Sequence, residues 1–206
     1  MKIEIKKSVK PVNYTKAVNL LENRMKSISN NKSKELLWIL QHPDVYTAGS
    51  SYKNNEILDK NIKIVKTSRG GKITWHGPGQ LICYFVIDLK RRKKDIRYML
   101  KNIEKTIIET LEAYEIKSYS DKKNIGIWVR DKKKLRKVAA IGVKIKKWIA
   151  FHGFSLNINN KLNSYKKILP CGMKEDNITT LQKYKKRDYK EIEKRLIENF
   201  IKNFET

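Results

Sequence analysis

Glycine is scarce in this chain, nine in 206 residues, yet four of the nine fall between Gly70 and Gly79. The segment reads Arg69-Gly70-Gly71-Lys72-Ile73-Thr74-Trp75-His76-Gly77-Pro78-Gly79-Gln80. Glycine packed this densely leaves bare backbone amides where a ligand can approach closely, and Arg69 and His76 add polar groups toward its two ends. The Gly-x-x-x-x-Gly-Lys-[Ser/Thr] spacing is absent, so the segment is not a Walker phosphate loop. Two tight hairpin turns would use the same glycines. Cys171, between Pro170 and Gly172, sits on a bend, where a thiol is accessible and able to act as a nucleophile. Cys83 lies instead among apolar neighbours from Leu81 to Ile87 and reads as a small buried hydrophobe. His42, His76 and His152 precede Pro43, Gly77 and Gly153, so each is expected at a strand end beside a turn, where binding residues collect. A structural role fits a lone histidine of this kind equally well.

The elements that must hold these residues follow from periodicity. Tyr14, Ala17, Val18, Leu21, Met25 and Ile28 recur at helical spacing behind Asn13, a good N-cap, which predicts a helix over 13–29. A second helix is expected over 95–115 and a third from about Asp188 onward. Strands are expected at 36–41, 62–67, 73–76, 81–88, 125–130, 138–144, 148–151 and 154–158, punctuated by Gly70-Gly71 and Gly77-Pro78-Gly79. Helices and strands are segregated rather than alternating. That predicts an α+β fold with a mixed, largely antiparallel sheet and flanking helices, as one domain over residues 1–206.

Composition excludes several classes. Apolar residues make up 40% of the chain, enough for a core. The longest apolar run, Leu81 to Ile87, is far below the roughly 20 residues of a membrane-spanning helix. The charged start at Met1-Lys2-Ile3-Glu4-Ile5-Lys6-Lys7 has no signal-peptide core, so a cytoplasmic address is expected. The formal net charge is +26, a value that draws attention to nucleic acid. The 47 basic residues are 38 Lys and 9 Arg scattered along the chain, with no long basic tail and no recognised nucleic-acid motif, so a solvated lysine surface is the expectation. Neither cysteine has a second cysteine or a histidine at ligand spacing, and no metal site is expected.

His42 to Gly49, Arg69 to Gln80, Lys137-Val138-Ala139-Ala140-Ile141-Gly142, His152 to Asn157 and Pro170-Cys171-Gly172 form an ordered set. In this order and spacing the segments resemble the octanoyl-acyl carrier protein:protein octanoyltransferase family, also called lipoyl-protein ligase B. The resemblance spans about residues 36 to 181. It departs mildly at Trp75, where tyrosine is usual, at Ala140-Ile141-Gly142, which replaces Ser-Leu-Gly, and at Ser155, which replaces alanine.

The resemblance implies transfer of octanoyl from octanoyl-acyl carrier protein to a lysine of lipoyl domains in 2-oxoacid dehydrogenase complexes or of the glycine cleavage H protein. It implies Cys171 as the acyl-carrying nucleophile and Lys137 as the ammonium that favours its thiolate and relays protons, with no cofactor. It also implies three substrate-binding segments: Arg69, Gly70, Gly71, Lys72, Ile73, Thr74, Trp75 and His76; Ala140, Ile141 and Gly142; Gly153, Phe154 and Ser155. The implied fold is that of biotin and lipoate ligase catalytic domains. An ATP-dependent lipoate ligase would share the fold and the lysine, but it would activate the acid as an adenylate and need no cysteine.

Overall fold

The structure is a computed structural model that describes residues 3–122, 124–172 and 177–205; of Cys171 it describes the backbone and not the side chain. Four strand segments stand at its centre: β2 (Leu36–Leu40), β6 (Gln80–Asp88), β9 (Lys134–Lys146) and β10 (Ile149–Asn157). With β1 (Glu4–Lys7), β7 (Ser118–Ser120) and β8 (Ile127–Asp131) they form a seven-stranded sheet ordered β1-β2-β6-β10-β9-β8-β7. Only the β1–β2 pair is parallel, so the sheet is mixed and largely antiparallel as expected.

Both faces of the central strands are covered, which is why β2 and β6 read as unbroken apolar runs rather than alternating ones. On one face, α1 (Tyr14–Ser29) packs Ala17, Leu21, Met25 and Ile28 against Leu36, Trp38, Tyr84 and Phe151. On the other, α2 (Ile96–Glu112) and α4 (Ile192–Phe204) cover Leu37, Ile39, Phe85 and Leu156. Cys83 belongs to this second core, fully buried as expected, and burial pushes its thiol well above the usual range. Asn13 and Asp95 cap their helices, accepting from Lys16 N at 3.1 Å and from Arg97 N at 2.8 Å. The third predicted helix begins later than its sequence signal. Asp188 closes a local turn onto Lys190 N at 2.9 Å, and α4 starts at Ile192.

A small second sheet, β4 (Ile64–Lys66), β3 (Val45–Ala48) and β5 (Ile73–His76) in that order, carries the glycine-rich segment. Strands β1, β3 and β7 and the short helix α3 (Leu181–Tyr184) have no counterpart in the sequence-based prediction. The two strands predicted at 148–151 and 154–158 are one. The β10 ladder to β6 and to β9 runs unbroken through His152 and Gly153, so His152 lies mid-strand and not at a strand end.

Candidate active site

In β5 the side chains alternate. Thr74 and His76 face a pocket, whereas Ile73 and Trp75 point away into a small core with Tyr165, Ile168 and Ile178. Of the first predicted binding segment, Ile73 and Trp75 are therefore the wall behind the pocket. The pocket's other sides come from the two remaining segments, Ala140, Ile141 and Gly142 on β9 and Gly153, Phe154 and Ser155 on β10. Ile82 and Tyr84 of β6 complete it, and it encloses about 460 Å³ of atom-free space with its open mouth included.

Glycine is required where strands and loop close on one another. Gly153 lies opposite Tyr84 on β6 and Gly142 on β9, and a Cβ there would overlap the Cys83 carbonyl oxygen and reach 3.0 Å from its carbon. Gly70 donates its N–H to Val143 O at 3.1 Å, which lays the loop flat on β9. Arg69 is buried, and its Nη2 donates to Thr47 O at 2.9 Å and to Thr47 Oγ1 at 2.8 Å. The guanidinium thus ties the glycine-rich loop to β3 beside the pocket.

His76 Nδ1 lies 2.6 Å from Gln80 Oε1. Gln80 Nε2 donates to Asn157 Oδ1 at 2.8 Å and to Tyr165 OH at 3.0 Å, so Oε1 is the acceptor and His76 donates from Nδ1. Nε2 of His76 then carries a lone pair. Burial, then the neighbouring His42, then Arg69 push its pKa down to about 3, which keeps the ring neutral. His42 is neutral for the same first reason; its Nδ1 donates to Val12 O at 2.6 Å and its Nε2 accepts from Tyr84 OH at 2.9 Å. His152 has a φ of 71°, which turns its ring onto Phe151 at 5.0 Å and edge-on to Tyr84 at 6.4 Å. Neither of its ring nitrogens has a hydrogen-bond partner among the described residues, and burial followed by Arg69 and Lys144 pushes its pKa down to about 3.

A second cavity adjoins the first, sharing Gly71, Lys72, Ile141 and Gly142 with it. Lys137 reaches into it from β9 although the residue is 3% exposed. Its Nζ donates to Ile125 O at 3.0 Å and stands 4.8 Å from the centre of the Trp128 ring. No carboxylate of the described residues pairs with this ammonium, and the bond to Ile125 O uses one of its three N–H donors. Residues Pro170–Gly172 form a 3₁₀ turn closed by Gly172 N to Leu169 O at 2.9 Å, so the expected bend is present in the backbone. The Cys171 side chain, the nucleophile implied by resemblance, lies outside what the structure describes. A Cβ added at Gly172 would collide with Lys72 Nζ, so the turn abuts the glycine-rich loop. Downstream, Ile178 pairs with Lys137 as an isolated parallel bridge, and Thr179 N donates to Lys137 O at 3.0 Å.

Sequence reasoning missed Glu56, a buried acid whose Oε1 lies 2.9 Å from Lys72 Nζ. Nothing in Asn54-Asn55-Glu56 marks it, because the pairing is across loops. It also missed Asn157 and Tyr165 as partners of Gln80.

The lipoyl protein ligase A/B catalytic domain matches residues 13–201 of the chain. An octanoyltransferase of Wolbachia sp. subsp. Brugia malayi (strain TRS) is 41% identical over 172 residues, covering 83% of this chain and 84% of that one. One of Anaplasma phagocytophilum (strain HZ) is 37% identical, covering 99% of this chain and 100% of that one. Among solved structures, a bi-partite lipoate protein ligase from Thermoplasma acidophilum superposes with a TM-score of 0.76 at 14% identity, covering 100% of this chain and 84% of that one. The biotin protein ligase of Aquifex aeolicus, in complex with biotin and ATP, gives a TM-score of 0.53 at 15% identity, covering 98% and 68%. At such identities these likenesses bear on the fold, and they meet the α+β expectation. With a domain match over most of its length and relatives near 40% identity, the chain belongs to the lipoyl protein ligase A/B catalytic domain family.

Proposed function

We propose that the protein is an octanoyltransferase of protein lipoylation, a single catalytic domain over residues 1–206. It takes octanoyl from octanoyl-acyl carrier protein and delivers it to a lysine of a lipoyl domain, with Cys171 as the intermediate carrier. The observation that supports this most is the cavity that holds the Lys137 ammonium. It is bounded by Lys72, and Lys72 in turn abuts the turn that contains Cys171.

In this mechanism the Cys171 thiolate attacks the thioester carbonyl. A new carbon–sulfur bond forms, the bond to the carrier's sulfur breaks, and the departing thiolate takes a proton from Lys137. Exchange of one thioester for another is close to neutral in energy and keeps the acyl group activated, so no cofactor is needed. The lipoyl-domain amine then attacks, an amide forms, Cys171 leaves as thiolate, and the amine's extra proton returns to Lys137. The pocket between β5, β6, β9 and β10 takes the acyl chain, and the glycine-rich backbone supplies N–H donors toward the oxyanion.

Mass spectrometry after incubation with octanoyl carrier protein tests the reading. One octanoyl group should be found on the peptide containing Cys171. Cys171→Ser should lose nearly all transfer, and Cys83→Ala should keep most of it. An adduct on Cys83, or full transfer in Cys171→Ser, overturns the assignment. An ATP-dependent lipoate ligase is the competing reading, since such enzymes share the fold; transfer from octanoyl carrier protein without ATP excludes it.

A further inference from the structure

Several lysines of the described residues pair with acids, and Lys72 differs from them in meeting a buried one at hydrogen-bond distance. Its Nζ lies 2.9 Å from Oε1 of Glu56, whose side chain is 4% exposed while that of Lys72 is 38% exposed. Burying a carboxylate to pair it with a lysine costs desolvation that the attraction barely offsets, so such a pair is a poor device for stability alone. What it does is fix the ammonium, and the place where it does so is specific. The backbone carbonyl of the same Glu56 accepts from Leu169 N at 2.7 Å, and Ile57 bridges Ile168. Leu169 O in turn closes the 170–172 turn by accepting from Gly172 N at 2.9 Å. One residue therefore anchors the turn through its backbone and presses Lys72 against it through its side chain. The ammonium occupies the space that a Cβ at Gly172 would need, next to Cys171 in the chain. Lys72 also lines both cavities, the one with the acyl-pocket segments and the one with Lys137.

We propose that the Lys72–Glu56 pair serves the acylation step, Glu56 positioning the Lys72 ammonium so that, together with Lys137, it favours the Cys171 thiolate. The inference rests on Cys171 being the nucleophile. A nearby opposite charge favours the charged form of an ionisable group, and partial exposure together with the Glu56 charge tempers what Lys72 contributes.

The test is the rate of iodoacetamide labelling of Cys171 against pH, followed peptide by peptide, with melting curves to show that each variant is folded. Lys72→Met should label about ten-fold more slowly at neutral pH and shift its pH profile upward by about one unit. Lys72→Arg should recover most of the loss. Glu56→Gln should also slow labelling, because the ammonium loses its anchor. A wild-type profile in Lys72→Met, or faster labelling in Glu56→Gln, overturns the proposal; the second result would make Glu56 a mere opposing charge. Labelling reports the electrostatics whether or not octanoyl is carried on Cys171. Slower labelling with no octanoyl adduct on Cys171 would show the charge effect on the thiol but overturn its service to acylation together with the functional reading, whereas an adduct with a wild-type profile in Lys72→Met would overturn this inference alone.

Discussion

Two neutral histidines buried beside the pocket make the fold sensitive to mild acid, and the size of the effect follows from their surroundings. His76 and His152 are 6% and 1% exposed, and both are held at a pKa of about 3. In the unfolded chain each returns to about 6.5. A folded-state pKa below the unfolded one means that protons bind the unfolded chain first. Stability is then complete above about pH 6.5 and is lost as pH falls from there toward 3. Between pH 7 and pH 5 the unfolded form of each histidine gains roughly 1.9 kcal/mol of protonation free energy while the folded form gains almost nothing. The loss is insensitive to the folded value as long as that value stays below about 4. For the pair it is about 4 kcal/mol, or about 9 °C in Tm for a chain of this length. Melting curves of the wild type and of a His76→Gln/His152→Phe variant at both pH values isolate this contribution, since every other titrating group is common to the two. The variant should lose about 4 kcal/mol less than the wild type over that interval. Equal losses would refute the assignment of these rings as the groups that resist protonation.

Two further perturbations test the packing that positions the site. Glu35 is 2% exposed and accepts from Arg92 Nη1 at 2.6 Å, Arg92 Nη2 at 2.7 Å and Asp88 N at 2.7 Å, while Arg92 Nε holds the end of α4 at Phe204 O, also at 2.6 Å. Glu35→Gln should cost about 3 kcal/mol in denaturant titrations, and the last turn of α4 should exchange its amides faster; a loss under about 0.5 kcal/mol would refute the clamp. Gly153→Ala should destabilise by about 3 kcal/mol or more, because its methyl group meets the backbone of β6 at Cys83 and the two central strands cannot separate without breaking their ladder. An unchanged Tm in that variant would show that the close approach at Gly153 is not required.

How far the fold is legible in the sequence depends on what signals each element. α1 and α2 are legible because a polar cap and a helical stripe coincide, at Asn13 with Tyr14 to Ile28 and at Asp95 with Met99 to Leu111. β2 and β6 are legible as apolar runs. Largely exposed strands of three or four residues, β1 and β7 at the sheet's edges above all, carry too few side chains for a pattern. The hairpin between β9 and β10 turns on Lys147 and Trp148, both with positive φ, where the usual signal is asparagine or glycine. β9 consequently runs past its predicted end to Lys146, whereas β10 begins at Ile149, one residue after the predicted start. Gly153 misleads in the opposite sense. Glycine usually punctuates, but here it is the residue that lets β10 pass between β6 and β9 without a side chain.

The site divides along the same physical line. The glycine-rich string from Arg69 to Gln80 is legible from its own residues, the segments at 140–142 and 153–155 enter through the family resemblance, and the fold brings members of all three to one pocket. What periodicity within the string decides is also recoverable: a strand at 73–76 must turn Ile73 and Trp75 away if Thr74 and His76 face the ligand. What depends on two loops meeting is not. Lys72 reads as one lysine among many until Glu56, from a separate loop, is placed 2.9 Å from its ammonium. Lys137 is the same case, set apart only by burial against Trp128 and the Ile125 carbonyl. In so basic a chain charge carries little information by itself. A fixed partner at Lys72 and burial at Lys137 set these two apart from the lysines that only meet solvent.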